Sequence, residues 1–210
     1  MTTSAPPTPF PILTTARLRL EPVDDRHHDG LRRLNSTPAV MRFISGRPET
    51  ADETLATIAR VKAAWQTFGY SWWAFIDRES GELIGAGCIQ HLARDPANPL
   101  EIGWRLLPSK WGQGYASEAA RAMAAFAFET LGTQQLLAVC DPDNAASAKV
   151  MQRLGMHYRG VERWYDIETS VYVMEREQWH ADRSGARESR VPVGDDSTSL
   201  TTHGGSAKVA

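Results

Sequence analysis

Between residues 16 and 23 the stretch "ARLRLEPV" alternates apolar and polar side chains, the period of a strand that buries one face. The period then lengthens. "DDRHHDGLRRLNS" (24–36) reads as a short helix opening at Asp24 or Asp25. "TADETLATIARVKAAWQTFG" (50–69) reads as an amphipathic helix: Leu55, Ile58, Val61 and Trp65 recur at helical spacing, and Gly69 supplies the stop. "WWAFID" and "LIGAGCIQHL", joined by the turn "RESGE", predict a hairpin, and "LEIGWRLL" a third strand. A glycine-containing loop and a long helix follow in "LLPSKWGQGYASEAARAMAAFAFETLG" (106–132). "QLLAVCDP" is then a buried strand, and "AASAKVMQRLG" a helix opened by Asp143 or Asn144 and closed by Gly155. "MHYRGVERWYD" and "TSVYVMEREQW" predict two final strands.

The order is thus strand, two helices, three strands, helix, strand, helix, two strands. It contains one strand–helix–strand crossover among antiparallel pairs. This is an α+β pattern: a mixed, mostly antiparallel twisted sheet flanked by helices, in a single domain of about 12–180. Residues 1–11 carry four prolines, and 181–210 mix Ser, Thr, Gly and charges without an apolar period. Both ends are expected to be unstructured, because they bury too little surface to offset their ordering entropy.

Composition narrows the function classes. A net charge of −2 with 23% charged residues gives no basic surface for nucleic acid or an anionic membrane. No apolar run approaches the ~18 residues of a membrane span. The first residues lack the basic segment and apolar core of a secretory signal. Cys88 and Cys140 each lie in a strand-like run and read as reduced core residues, which fits a cytoplasmic location. The adjacent His27 and His28 would point about 100° apart on a helix, poorly placed to share an ion, so they read as surface residues and no metal is expected.

The glycines at 112 and 114, just ahead of a strong helix, raise the chemical question. They fit a simple tight turn. They also fit an anion site. The first-turn amides of a helix have no intrahelical acceptor, the helix dipole adds positive potential, and glycine lets a phosphate approach. Trp111, Gly112, Gln113 and Gly114 offer no short capping side chain to occupy those amides. A nucleotide P-loop needs Gly-Lys-Ser/Thr, but Tyr115 and Ala116 follow Gly114. Gly112-x-Gly114-x-x-Ser117 nearly matches the dinucleotide fingerprint, and the next strand ends in Asp141. Against that reading, "PSK" separates the glycines from the preceding strand, and about 100 residues precede the loop.

"EIGWRLLPSKWGQGYASEAARAM" followed by "DPDNAASAKVMQRLGM" closely resembles the GNAT N-acetyltransferase superfamily, nearest to the branch acting on N-termini of ribosomal proteins. The resemblance covers roughly residues 12–180. It implies an acetyl-CoA-dependent transfer to a primary amine, with the amides of R/Q-x-x-G-x-G/A holding the diphosphate of acetyl-CoA. Here that loop is Trp111 to Ala116, with Trp111 in place of the usual Arg or Gln, so phosphate binding falls to the backbone from Gly112 through Gln113, Gly114 and Tyr115 to Ala116 and Ser117. It further implies that Asn144 contacts the cofactor arm and that Ser147 lies where a donor to the leaving thiolate would sit. In the helix after Asn144, Ser147 shares a face with Val150, Met151 and Leu154.

Amine acetylation needs a neutral amine, a polarised thioester carbonyl and a proton for the thiolate. At pH 7 deprotonation costs about 1 kcal/mol for an α-amine and about 4–5 for lysine. Glu101, which shares a strand face with Gly103 and Arg105, is the first candidate for general base, and the resemblance also places a carboxylate on this strand. Glu162 and Asp166 are the alternatives. Backbone N–H groups around Trp104, Arg105 and Leu106 would polarise the carbonyl. Trp72, Trp73, Trp104 and Trp164 either line an acceptor groove or belong to the core. The acceptor stays open among a protein N-terminus, an aminoglycoside, a polyamine and a small amino compound. A catalytically silent acyl-CoA sensor on the same scaffold is the alternative function.

Overall fold

In the computed structural model, residues 10–181 are described, and they build one eight-stranded sheet in the order β1-β2-β3-β4-β5-β6-β8-β7. The strands are β1 (Leu13–Thr14), β2 (Leu18–Pro22), β3 (Trp72–Asp77), β4 (Leu83–His91), β5 (Leu100–Leu106), β6 (Gln135–Cys140), β7 (His157–Trp164) and β8 (Ile167–Glu175). The helices are α1 (His28–Asn35), α2 (Pro38–Met41), α3 (Ala51–Phe68), α4 (Tyr115–Ala125), which continues in a π-turn over Phe126–Thr130, and α5 (Ala145–Leu154). Every neighbouring strand pair is antiparallel except β5 and β6. The expected α+β architecture is therefore present, with β1 and α2 as additions.

Local signals set the helix limits. Thr50 and Glu53 form a reciprocal capping box on α3, and Gly69 ends it in the left-handed region at φ +75°. The buried stripe of α3 is Thr54, Ile58, Val61 and Trp65; Leu55, expected on that stripe, is 52% exposed because Thr54 takes the inward position in the first turn. Trp65 is fully buried, packs edge-on against Trp73, and donates its indole N–H to the Trp72 carbonyl at 3.0 Å. On the face that Trp73 shares with its register partner Gly87, a Cβ at Gly87 would lie 2.5 Å from Phe75 Cζ and 2.8 Å from Met123 Cε. The missing side chain lets α4 settle onto β4, and this sets where the helix begins relative to β5.

Three expectations need correction. His27 is buried, not on the surface: a 3₁₀ turn at Asp25–His27 carries it inward, where Nδ1 accepts the Asp24 N–H and Nε2 lies 3.2 Å from Glu21 Oε2. The last strand stops at Glu175, and 176–181 is helical. At the front, Phe10 stacks on Trp65 at 5.1 Å and the Pro11 carbonyl accepts the Trp73 indole N–H, so order begins before residue 12. The remainder of the two terminal segments, 1–9 and 182–210, lies outside the described residues. Cys88 and Cys140 are buried free thiols, and no described helix is long and apolar enough to cross a membrane.

Candidate active site

The parallel neighbours β5 and β6 touch at a single register pair, Glu101 with Leu137. From there the strands diverge, so the β6-facing edge of β5 from Ile102 to Leu106 has no ladder partner. Because both strands run the same way, the loops after them open at one end of the sheet. That brings the two sequence motifs together, one at the start of α4 and one at the start of α5. The result is a wedge-shaped gap about 17 Å long, with Glu101 at its closed end and two helix N-termini at its open end.

The glycine loop meets the requirements of an anion cradle. Gly112 (φ +72°) and Gly114 (φ +84°) occupy the left-handed region, and a Cβ at Gly112 would meet nothing within 4 Å. Gly114 precedes α4 without any side-chain cap. Glu118 N–H bonds the Gly114 carbonyl, whereas the amides from Gly112 to Ser117 have no acceptor among the described residues. Side chains fix the loop from behind. Arg17 donates to the Gln113 carbonyl at 3.0 Å, grips Glu118, and lies 4.1 Å over the Tyr115 ring. Tyr115 in turn reaches Asp77, which Lys110 also binds at 2.8 Å. Trp111, at the departure from the Arg/Gln pattern, is half-exposed and donates its indole N–H to the Leu106 carbonyl.

At the second helix, Asn144 is the N-cap: its Oδ1 accepts the Ser147 N–H at 3.1 Å, which leaves its amide NH₂ unengaged. Ser147 is half-buried on the stripe with Met151 and Leu154, and its hydroxyl has no partner among the described residues. Both the NH₂ and the hydroxyl are therefore free to meet a ligand.

Glu101 is 5% exposed. Its Oε1 accepts Gln90 Nε2 at 2.6 Å and the Tyr165 hydroxyl. Burial raises its carboxyl above the ordinary range; Gln90, Tyr165 and the charge of Arg94 oppose the rise without cancelling it. Tyr165 is carried there by the two-residue turn between β7 and β8, in which Tyr165 (φ +54°) and Asp166 (φ +64°) are both left-handed. Such a turn favours Asn-Gly, and a left-handed Tyr costs roughly 1–2 kcal/mol. Strain at this position accompanies the delivery of a hydroxyl to a buried carboxylate.

Comparison with known proteins now decides the family: residues 17–157 match the model for an acetyltransferase (GNAT) domain. The chain belongs to the GNAT acetyltransferase family. It is 33% identical over 186 residues to FsC-acetyl coenzyme A-N(2)-transacetylase of Aspergillus fumigatus, covering 80% of this chain and 78% of that protein. An acetyltransferase from Agrobacterium tumefaciens superposes with a TM-score of 0.70 at 29% identity, over 83% of this chain and 99% of that one. A ribosomal L7/L12 α-N-protein acetyltransferase, solved in complex with coenzyme A, shares the fold with a TM-score of 0.67 at 20% identity, over 80% and 99% of the two chains.

Within this GNAT domain the remaining candidates separate by their partners. Glu162 is held by Arg159 in a two-point contact (2.7 and 2.8 Å) and by the Trp164 indole, which together keep its carboxyl below the ordinary range. Asp166 is exposed in the turn. Trp73 is core, Trp104 packs at the edge of that core, and Trp164 covers the small cluster of Leu92, Leu137 and Val171. Trp72 alone of the four joins the Glu101 network, donating its indole N–H to Gln90 Oε1 at 3.0 Å. The Arg105 side chain turns back across β4 to stack on Trp72 at 4.7 Å, so it offers only backbone to the β6-facing edge, while its guanidinium lies on the sheet face that also carries Glu101. Arg17, Gln90 and Tyr165 were not singled out from sequence. Gln90 carried a signal, a polar residue in the apolar run "LIGAGCIQHL"; Arg17 lies about 100 residues from the loop it braces and carried none.

Proposed function

We propose that the protein transfers the acetyl group of acetyl-CoA directly to a primary amine, with Glu101 as general base. The observation that carries this reading is the buried, hydrogen-bonded carboxylate at the closed end of a gap whose open end presents unpartnered amides. The amides from Gly112 to Ser117 hold the diphosphate, the Asn144 NH₂ steadies the arm, and the unladdered β5 edge at Trp104 to Leu106 receives the thioester carbonyl. Glu101 takes a proton from the amine as its nitrogen bonds to the carbonyl carbon. The carbon–sulfur bond then breaks; the Ser147 hydroxyl donates a hydrogen bond to the departing thiolate, which takes its proton from solvent as Glu101 gives up to solvent the one it took from the amine. The relative from Aspergillus fumigatus, named for acetyl-coenzyme A and transacetylation, supports the donor. Two buried free thiols support residence in a reducing, cytoplasmic compartment.

Calorimetry with acetyl-CoA is the first test. Binding is expected in the micromolar range, and Gly114→Glu, which sets a carboxylate at the mouth of the cradle, removes it. Absence of binding by the folded wild-type protein refutes the donor. Release of free thiol that depends on an added amine separates an enzyme from an acyl-CoA sensor, since the sensor binds and never releases.

A further inference from the structure

Arg105 is 9% exposed, yet it has no ion pair and its Nε has no hydrogen-bond partner among the described residues. Its one direct contact is the face of Trp72, 4.7 Å from the ring centroid, and Glu49 acts on it only through space. A guanidinium keeps its charge at any accessible pH, and a buried charge without an anion costs several kcal/mol. The groups on the same sheet face do not supply that anion. By register they are Trp72, Ala74, Ala86, Cys88, Gln90 and Gly103, with Glu21 on the next strand, where Arg19 and Arg26 already pair with it. Burial raises the Cys88 thiol, so it stays neutral. Glu101 is on this face too, but Gln90 and Tyr165 engage it; Glu49, hydrogen-bonded to the neutral Asn35 and Thr54, acts on Arg105 only through space and makes no ion pair with it.

Arg105 and Glu101 are joined along one wall. Arg105 covers Trp72, the Trp72 indole bonds Gln90, and Gln90 bonds Glu101. Gly103 lies between the two charged residues on β5 and adds no side chain to the floor. Their Cα atoms are about 13 Å apart along the strand, and both side chains shorten that span. Nearby, Arg60 on α3 and Arg94 after β4 also have no ion-pair partner among the described residues. Arg60 is drawn below its ordinary value by partial burial and then by Arg94.

We propose that the acceptor is a small primary amine bearing an oxyanion, and that Arg105 receives the oxyanion while Glu101 receives the amine. The inference rests on the acetyl-transfer reading above. It selects among acceptors: a polyamine or an aminoglycoside would set further positive charge against Arg60, Arg94 and Arg105, whereas an anionic amine supplies the direct ion pair that the described fold does not give Arg105. The same cations hold the bound amine toward its neutral, reactive form.

The test uses the full-length protein with acetyl-CoA and three amines of similar length: β-alanine, 2-aminoethyl phosphate and 3-amino-N-methylpropanamide. The anionic amines should exceed the neutral amide at least tenfold in kcat/KM, and the better of the two identifies carboxylate or phosphate. Arg105→Met should erase that preference by raising KM for the anionic amines, and Arg105→Lys should keep part of it. Equal kcat/KM across the three amines overturns the proposal, as does an unchanged preference in Arg105→Met, or spermidine or an uncharged-side-chain peptide as the best acceptor. If no amine releases thiol, the transfer reading fails separately. NMR titration of the wild-type protein with propanoate and methyl phosphate then decides: binding weakened at least tenfold by Arg105→Lys supports the receptor, and no binding at 10 mM overturns it.

Discussion

Glu101→Gln is the most informative perturbation, because it removes a base and changes little else. Gln keeps the shape, and its carbonyl oxygen still accepts from Gln90 and from the Tyr165 hydroxyl, so the wall beside Trp72 persists. The proton acceptor is lost, which removes roughly 10²–10⁴ from kcat/KM at neutral pH. The pH profile gives the sharper reading. Productive encounter in the wild-type protein needs both a neutral amine and an ionised Glu101. The acid limb should therefore bend twice, once near the amine pKa and once at Glu101, whose pKa burial sets above the ordinary carboxylate value. In Glu101→Gln only the amine bend remains. For an α-amine of pKa about 8, the neutral fraction climbs from about 9% at pH 7 to about 91% at pH 9, so the variant should recover about tenfold over that range. Stability provides an independent control. A carboxyl whose folded pKa is raised holds its proton in the folded state after the unfolded chain has released it. Wild-type stability is thus lost as pH rises from the unfolded value through the folded one. Glu101→Gln has no such loss, so it should equal the wild type below about pH 4.5 and match or exceed it at pH 7 in thermal melts. A variant within threefold of wild-type rate that keeps both bends refutes Glu101 as the base.

Removing the other donor to this carboxylate should move the same limb. Tyr165→Phe deletes a hydrogen bond to a charged acceptor, worth about 1.5–3 kcal/mol, and should shift the Glu101 bend upward by about 1–2 pH units; an unmoved or lowered bend rejects the contact. Tyr165→Asn loses the hydroxyl as well but relaxes the left-handed turn, so it should melt higher than Tyr165→Phe. Arg17→Ala should lower Tm by about 2–8 °C, since the Arg17 side chain makes two contacts to Glu118 and one to the Gln113 carbonyl from a half-exposed position worth about 1–2 kcal/mol in total. The same variant should weaken acetyl-CoA in calorimetry through a looser cradle, and unchanged affinity would show that the loop holds its shape unaided.

How far the sequence discloses this site follows from the distance over which each signal acts. The cradle is legible because its causes are local: two glycines, a missing cap and a helix start within six residues specify free amides wherever the loop sits. Asn144 is legible for the same reason, as a cap three residues ahead of Ser147. Glu101 is visible as a residue type on a strand face, but its environment is not. Gln90 arrives by strand register, Tyr165 across 64 positions through a turn whose composition argues against its geometry, and Trp72 from a third strand. The burial of His27 is hidden for a similar reason: an adjacent histidine pair gives no hint that Glu21 on the preceding strand will draw one ring inward. Arg105 marks the limit of such reading. By alternation it is one more half-exposed strand residue. Only the packed sheet shows that Trp72 covers it, that no carboxylate of the described fold pairs with it directly, and that it therefore makes sense as half of a binding site whose other half is the substrate.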